Sequence, residues 1–286
     1  YRRTLREHAA RLLAPVENGR VRLAGAPRIG FLDELYPELR SFWLPLSEVR
    51  QLAQAWSIYD RGVPMAVLGF ALHPFYGTYL PKRTEHLELF GTWLSGWQGP
   101  RRHAIDVGTG SGVLAFQLAR AGFARVTATD VNPNACESVR RELARRPLPV
   151  VVEEGDLLGA GRDQVDLVVF NPPWTQGPVE TWLDRALHYE ETSLFTRFFD
   201  QAAERLAPEG RVVLVFSNVM RLVQPDEPHP IEVELERGRF ERLNTSVRRI
   251  RPPRGTRRRT RERVEVWELA LRSSSLQTQE PATLRG

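Results

Sequence analysis

One run constrains the fold of this chain more than any other: Asp106-Val-Gly-Thr-Gly-Ser-Gly112, set between the short apolar stretch His103–Val107 and an amphipathic one that begins at Val113. Glycines in alternation allow a sharp turn and close approach of backbone to a ligand. A strand before such a turn and a helix after it make a β-loop-α unit of an open sheet. The alternation continues downstream. Arg125–Thr129 predicts a strand ending at Asp130, and Pro133 opens a helix at its first turn, where a missing N–H is tolerated, running to about Arg146. Val150–Glu153 and Val165–Phe170 predict two more strands, the second apolar but for Asp166, as for a strand buried on both faces. Ser193–Leu206 predicts a helix closed by Pro-Glu-Gly210, and Arg211–Phe216 another central strand. Val264–Leu271 alternates and pairs with residues 239–249 as an antiparallel edge hairpin. The expected class is α/β: a Rossmann-like, doubly wound, seven-stranded, mostly parallel sheet.

The sequence before residue 98 has a different texture. Leu5, Ala9, Leu12 and Leu13 give one apolar helical face. A second helix starts with Ser47 as N-cap, runs through Val49, Leu52 and Trp56 to Tyr59, and ends at Gly62-Val-Pro64. Residues 65–81, aromatic and glycine-containing, predict a short hairpin, and 83–97 return to helical spacing. The expected organisation is a mainly helical N-terminal substrate or cap region (1–97), a catalytic domain (98–272) and a polar, disordered tail (273–286).

Composition excludes several classes. No run approaches the roughly 18 uninterrupted apolar residues of a membrane helix, and the N-terminal residues lack the apolar core of a secretory signal. A cytoplasmic setting is the expectation. Cys136 is the single cysteine, so neither an internal disulfide nor a cysteine-based zinc site is available. The six histidines are scattered and form no His-Glu-x-x-His motif, so no metal is expected. The net charge is +5. Lys82 is the sole lysine, and so lopsided a use of arginine reflects a GC-rich genome better than a selected binding surface. Local clustering differs: nine arginines fall between Arg248 and Arg263, around Pro252-Pro253 and Gly255, where a basic loop could follow phosphates of a nucleic acid or ribosome. That run has no aromatic residue for stacking on bases.

The glycine loop departs from the dinucleotide pattern. Its spacing is Gly-x-Gly-x-Gly, and Asp106 precedes it. A carboxylate there repels a pyrophosphate and suits a cationic ligand. Asp130 closes the next strand, where an acid accepts hydrogen bonds from ribose hydroxyls, and Asp156 follows the third strand, placed to accept from an adenine amino group. In order and position these resemble the cofactor contacts of class I S-adenosylmethionine-dependent methyltransferases. The resemblance implies S-adenosylmethionine as cofactor, held by Asp106, Gly108, Thr109, Gly110, Gly112, Asp130 and Asp156, with Asn171 beside the transferred methyl.

Asn171-Pro-Pro-Trp174 ends the fourth predicted strand, at the carboxyl edge where open sheets bind ligands. An amide or exocyclic amine is planar and poorly nucleophilic. The Asn171 side-chain oxygen and the Pro172 carbonyl can each accept one of its N–H groups, Pro173 stiffens the turn, and Trp174 offers a flat face for stacking. The gain in rate would come from orientation. The motif resembles the Asn-Pro-Pro-Tyr/Phe signature of amino-methyltransferases, which implies methylation of nitrogen, with Asn171, Pro172 and Trp174 in the catalytic roles.

Pro64-Met-Ala-Val-Leu-Gly69, Phe75-Tyr-Gly77 and Pro81-Lys-Arg83-Thr-Glu85 are similar to the segment that precedes the fold in HemK/PrmC-type glutamine methyltransferases. This implies a protein or peptide glutamine as the first acceptor, with Phe75 and Arg83 near the substrate. Lys82 interrupts the Pro-Arg pair, and Val215-Phe-Ser-Asn218 stands where that family has Glu-x-Gly. A nucleobase amine is the second acceptor and a small-molecule amine the third. An inactive methyltransferase fold that binds RNA through the arginine run is the alternative of another class.

Overall fold

The computed structural model of the protein describes residues 11–81, 83–179, 186–190, 193–250 and 261–272. The chain divides into two compact units, residues 1–78 and 79–286.

In the first unit, β1 (Leu13–Glu17), β2 (Arg20–Val21) and β3 (Ser41–Pro45) form an antiparallel sheet in the order β2-β1-β3. Asn18 and Gly19 join β1 to β2 with φ of 48° and 68°, the left-handed pair that a two-residue hairpin turn requires. Helix α1 (Leu32–Leu35) and the longer α2 (Leu46–Arg61) flank β3, and the hairpin β4 (Val63–Met65) and β5 (Phe70–Leu72) follows. Phe31 centres the core, its ring 5.0 Å from each of Trp56, Tyr59 and Phe75.

The expectation of a mainly helical region to residue 97 needs two corrections. A sheet occupies much of it: Leu13, which spacing places on a helical face, opens β1 and is exposed, as is Leu12. Leu5 and Ala9 lie outside the described residues. The boundary also falls earlier, because α3 (Glu85–Ser95) packs on the main sheet, with Trp93 Nε1–H donating to Glu268 Oε2 at 2.9 Å.

The second unit is built on a seven-stranded sheet. Its parallel strands are β6 (His103–Val107), β7 (Arg125–Asp130), β8 (Val150–Glu154), β9 (Val165–Phe170) and β12 (Leu206–Ser217). β13 (Phe240–Arg249) and β14 (Arg263–Leu271) run antiparallel, and the order across the sheet is β13-β14-β12-β9-β6-β7-β8. Helices α4 (Val113–Arg120), α5 (Pro133–Arg145) and α6 (Ser193–Arg205) make the crossovers, and α7 (Val219–Val223) and α8 (Pro230–Arg237) lead into β13. Alternate residues Ile105, Val107, Val168, Phe170, Leu214 and Phe216 enter one apolar cluster with Phe195, Phe198 and Phe199 of α6. Two short parallel strands, β10 (Thr175–Gln176) and β11 (His188–Tyr189), follow the Asn-Pro-Pro turn. The tail from Ser273 lies outside the described residues.

All five parallel strands end at one edge. Ser217 of β12 pairs with Val264 of β14, and Arg263 with Arg249 of β13. The arginine hairpin is therefore rooted at the carboxyl edge, although its residues 251–260 lie outside the described set. Asn218 holds that root: its Nδ2 donates to the Arg261 carbonyl at 3.1 Å and its Oδ1 accepts from Arg263 N–H at 2.8 Å.

Candidate active site

A cavity opens at this edge. The glycine loop lines it through Gly108, Thr109, Gly110 and Ser111, while Gly112, an expected cofactor contact, lies outside the lining. The three glycines have φ of 62°, 54° and 83°, a region that disfavours any residue with a Cβ. At Gly112, which caps α4, a Cβ would also lie 2.8 Å from the Phe116 ring.

Asp106 is wholly buried and does not line the cavity. Its Oδ2 accepts from Thr109 Oγ1 at 2.6 Å and from the N–H of Ala115, in the first turn of α4, at 2.9 Å. The carboxylate thus takes up a donor that a helix start leaves unpaired. Burial pushes its pKa up to about 7 against the pull of those two bonds, and Oδ1 is buried without a hydrogen-bond partner among the described residues. The expected direct contact with the cofactor becomes a brace beneath the loop.

Asp130 lines the cavity. Its Oδ2 accepts from Gly110 N–H at 2.8 Å and its Oδ1 from Asn132 N–H at 2.9 Å. Burial raises its pKa, against hydrogen bonds from the backbone of Asn132, Gly110 and Val131 that favour the carboxylate. Three of the carboxylate's roughly four lone pairs take these backbone N–H groups, which leaves one for a ligand hydroxyl. Asn132 caps α5 by accepting from Asn134 N–H, with Pro133 at the next position. Asp156 lies on the wall after β8, ion-paired with Arg197 of α6, and Leu157 beside it has φ of 51°.

Asn171 and Pro173 line the cavity at the end of β9, while Pro172 is buried in the turn. Trp174 does not line the cavity. Its Nε1–H is shared between Asn171 Oδ1 at 3.2 Å and the Val215 carbonyl at 3.3 Å. Its ring packs on the apolar cluster and meets the His86 ring at 5.6 Å and 88°.

Of the sequence-derived residues, the cavity therefore unites Gly108, Thr109, Gly110, Asp130, Asp156, Asn171 and Pro173. Arg83 does not line it and instead faces Glu262, at the foot of the arginine hairpin, at 3.8 Å. Phe75 is buried within the first unit against Phe31. Tyr79, Leu87, His188, Glu190 and Arg197 also line the cavity, and sequence reasoning misses them. Arg197 sits on a helix whose apolar spacing signals only a crossover. His188 is carried by a two-residue strand too short for periodicity to reveal; its Nδ1 lies 2.8 Å from Thr175 Oγ1. Among the described residues, no cluster of His, Cys, Asp or Glu is arranged to hold a metal, and no helix is long and apolar enough to cross a membrane.

A loop whose backbone is bared at Gly108 and Gly110, an acid at the end of the second parallel strand and another beyond the third suit an adenosyl ligand bearing a positive charge. This is the fold and cavity of a class I S-adenosylmethionine-dependent methyltransferase domain. Residues 94–225 match the Methyltransferase small domain family, and S-adenosylmethionine is the cofactor of that segment. Over 143 residues the chain is 32% identical to a tRNA1(Val) (adenine(37)-N6)-methyltransferase of Porphyromonas gingivalis, covering 44% of this chain and 56% of that one. It is 30% identical over 159 residues to the protein of that name from Edwardsiella ictaluri, covering 51% and 63%. It is 45% identical over 138 residues to a ribosomal protein L11 methyltransferase of an Exiguobacterium species, covering 42% and 44%. The chain thus spans about half the length of the curated relatives it matches.

Proposed function

We propose that the protein transfers the methyl group of S-adenosylmethionine to an exocyclic amine of a nucleobase in structured RNA, with adenine N6 as the first acceptor. The carrying observation is the juxtaposition of Asn171-Pro-Pro-Trp174 with the root of the arginine hairpin, Arg249 and Arg263, at one sheet edge. Phosphates bound by the hairpin would bring a base toward the cavity. The names of the tRNA-modifying relatives support the same acceptor.

The glutamine reading ranks below the nucleobase reading because the relatives matched include methyltransferases named for tRNA and ribosomal RNA. Arg83, which carried part of the likeness to the glutamine methyltransferases, faces Glu262 at the hairpin's foot. A peptide amide, moreover, needs no polyanion-binding surface.

S-adenosylmethionine supplies an electrophilic methyl on a sulfonium. The chain's own residues do the rest. Asp130 and the glycine backbone hold the cofactor. Asn171 Oδ1 would accept an acceptor N–H, orienting the nitrogen lone pair toward the methyl, so that alignment provides most of the acceleration. As the N–C bond forms the S–C bond breaks, S-adenosylhomocysteine leaves, and the nitrogen gives up one proton to water. A nitrogen on a ribosomal protein is the second reading, favoured by the 45% identity to an L11 methyltransferase. Labelled S-adenosylmethionine incubated with tRNA, rRNA and ribosomal proteins separates them. Nuclease-sensitive label, recovered as N6-methyladenosine and lost with Asn171→Ala, is the expected result. Protease-sensitive label alone would move the acceptor to protein.

A further inference from the structure

We infer that Trp174 is a positioning residue for Asn171, acting through its indole N–H rather than by stacking its ring on the acceptor. The inference deepens the function proposed above and rests on Asn171 being the acceptor clamp. An indole N–H only donates. The Asn171 atom 3.2 Å from it must therefore be the amide oxygen, which fixes the carboxamide and removes its alternative flip. The same N–H reaches the Val215 carbonyl at 3.3 Å, so the clamp at the end of β9 is braced by its neighbour β12. Trp174 is itself held: its ring packs on the apolar cluster, and His86 meets it edge to face. His86 is 3% exposed, and burial lowers its pKa to about 4, so it remains a neutral packing partner.

One lone pair of Asn171 Oδ1 takes the indole N–H, and the second stays available for the acceptor amine. Phenylalanine has no donor to offer here. The departure from Tyr or Phe at this position thereby acquires a role, and the same geometry explains why Trp174 is absent from the cavity wall.

Two measurements test this. Trp174→Phe keeps an aromatic ring and removes the donor. It is expected to lower kcat about 10-fold, with the acceptor KM within about twofold and cofactor affinity unchanged. Unchanged kcat in Trp174→Phe, together with a raised KM in Trp174→Ala, would overturn the proposal in favour of stacking. The second measurement needs no acceptor. In a ¹⁵N spectrum of the seven tryptophan indoles, the signal that vanishes in Trp174→Phe should move upfield in the proton dimension and exchange faster in Asn171→Ala, yet stay protected in Asn171→Asp, which still accepts. An indole signal indifferent to Asn171→Ala would overturn the proposal. Failure to methylate any acceptor would refute the proposed function while leaving this spectroscopic result decisive.

Discussion

The carboxylate of Asp106 accepts the backbone N–H of Ala115 at 2.9 Å, so the acid that precedes the glycine loop holds the helix the loop opens. Burial raises its pKa to about 7, above the usual carboxylate value of 3.8. A raised carboxyl pKa means that the folded state holds a proton the unfolded chain has released. The stability this contributes is complete below about pH 4 and disappears as pH rises through 7. The side-chain amide of an Asp106→Asn variant does not titrate. The melting temperature of the wild type should therefore fall relative to that variant between pH 5 and 7.5, by at least the roughly 3 °C that 1 kcal/mol produces in a chain of this size. Parallel melting curves for the two proteins would refute the raised pKa.

Gly112→Ala should destabilise the second unit by about 1–3 kcal/mol. The backbone there has φ of 83°, and the new Cβ would meet Phe116 at 2.8 Å and Val139 at 3.0 Å. Urea denaturation would measure the loss; an unchanged midpoint would contradict the geometry.

Asp130→Ala removes the acceptor for both Gly110 and Asn132 N–H groups. Affinity for S-adenosylmethionine is expected to fall at least 10-fold, about 1.4 kcal/mol, by titration calorimetry. Asp130→Asn should lose less, because its amide oxygen can still accept one of the two.

His229 is buried between Phe216 and Trp267, and neither ring nitrogen has a hydrogen-bond partner among the described residues. Burial lowers its pKa to about 4, with Arg221 adding to the shift. For a histidine so lowered, the unfolded chain takes up the proton first, and stability is lost as pH falls from about 6.5 to 4. His229→Leu should be neutral or stabilising at pH 7, since it removes two unsatisfied polar atoms. Its advantage over the wild type should widen at pH 5, as read by thermal melts at both values.

Replacing Arg257, Arg258 and Arg259 with glutamine should weaken RNA binding across sequences and reduce the slope of log affinity against log salt by about 2–3. The affinity for S-adenosylmethionine should be unchanged. An unaltered salt slope would remove the hairpin from the RNA contact.

The catalytic unit is legible in the sequence because each of its elements carries a local signature. The Val165–Phe170 run, buried throughout in β9, and the Asp106–Gly112 loop specify the parallel sheet without long-range information. Even the late antiparallel hairpin follows from alternation along Val264–Leu271. The first unit is harder. Its Asn18-Gly19 turn is a strong hairpin signal, yet the flanking strands are short, with exposed Leu13 and a proline, and look like neither a helix nor a clear sheet. The site divides likewise. Glycines and acids at strand ends are visible in sequence, whereas Arg197 and His188 reach the cavity through tertiary packing. The place of Trp174 outside the cavity is hidden because spacing carries no information on which way an indole N–H points.

β14, the last strand of the sheet, lies between β12 and β13, two strands made before it. During synthesis, Val212–Ser217 of β12 has its β14 edge open until residues 264–269 arrive, and β13 has no strand partner. An apolar strand with an open edge is a template for pairing with another chain. A chain cut short within the arginine run would thus have its entire glycine loop and Asn-Pro-Pro turn, but an adhesive flank in place of a finished sheet.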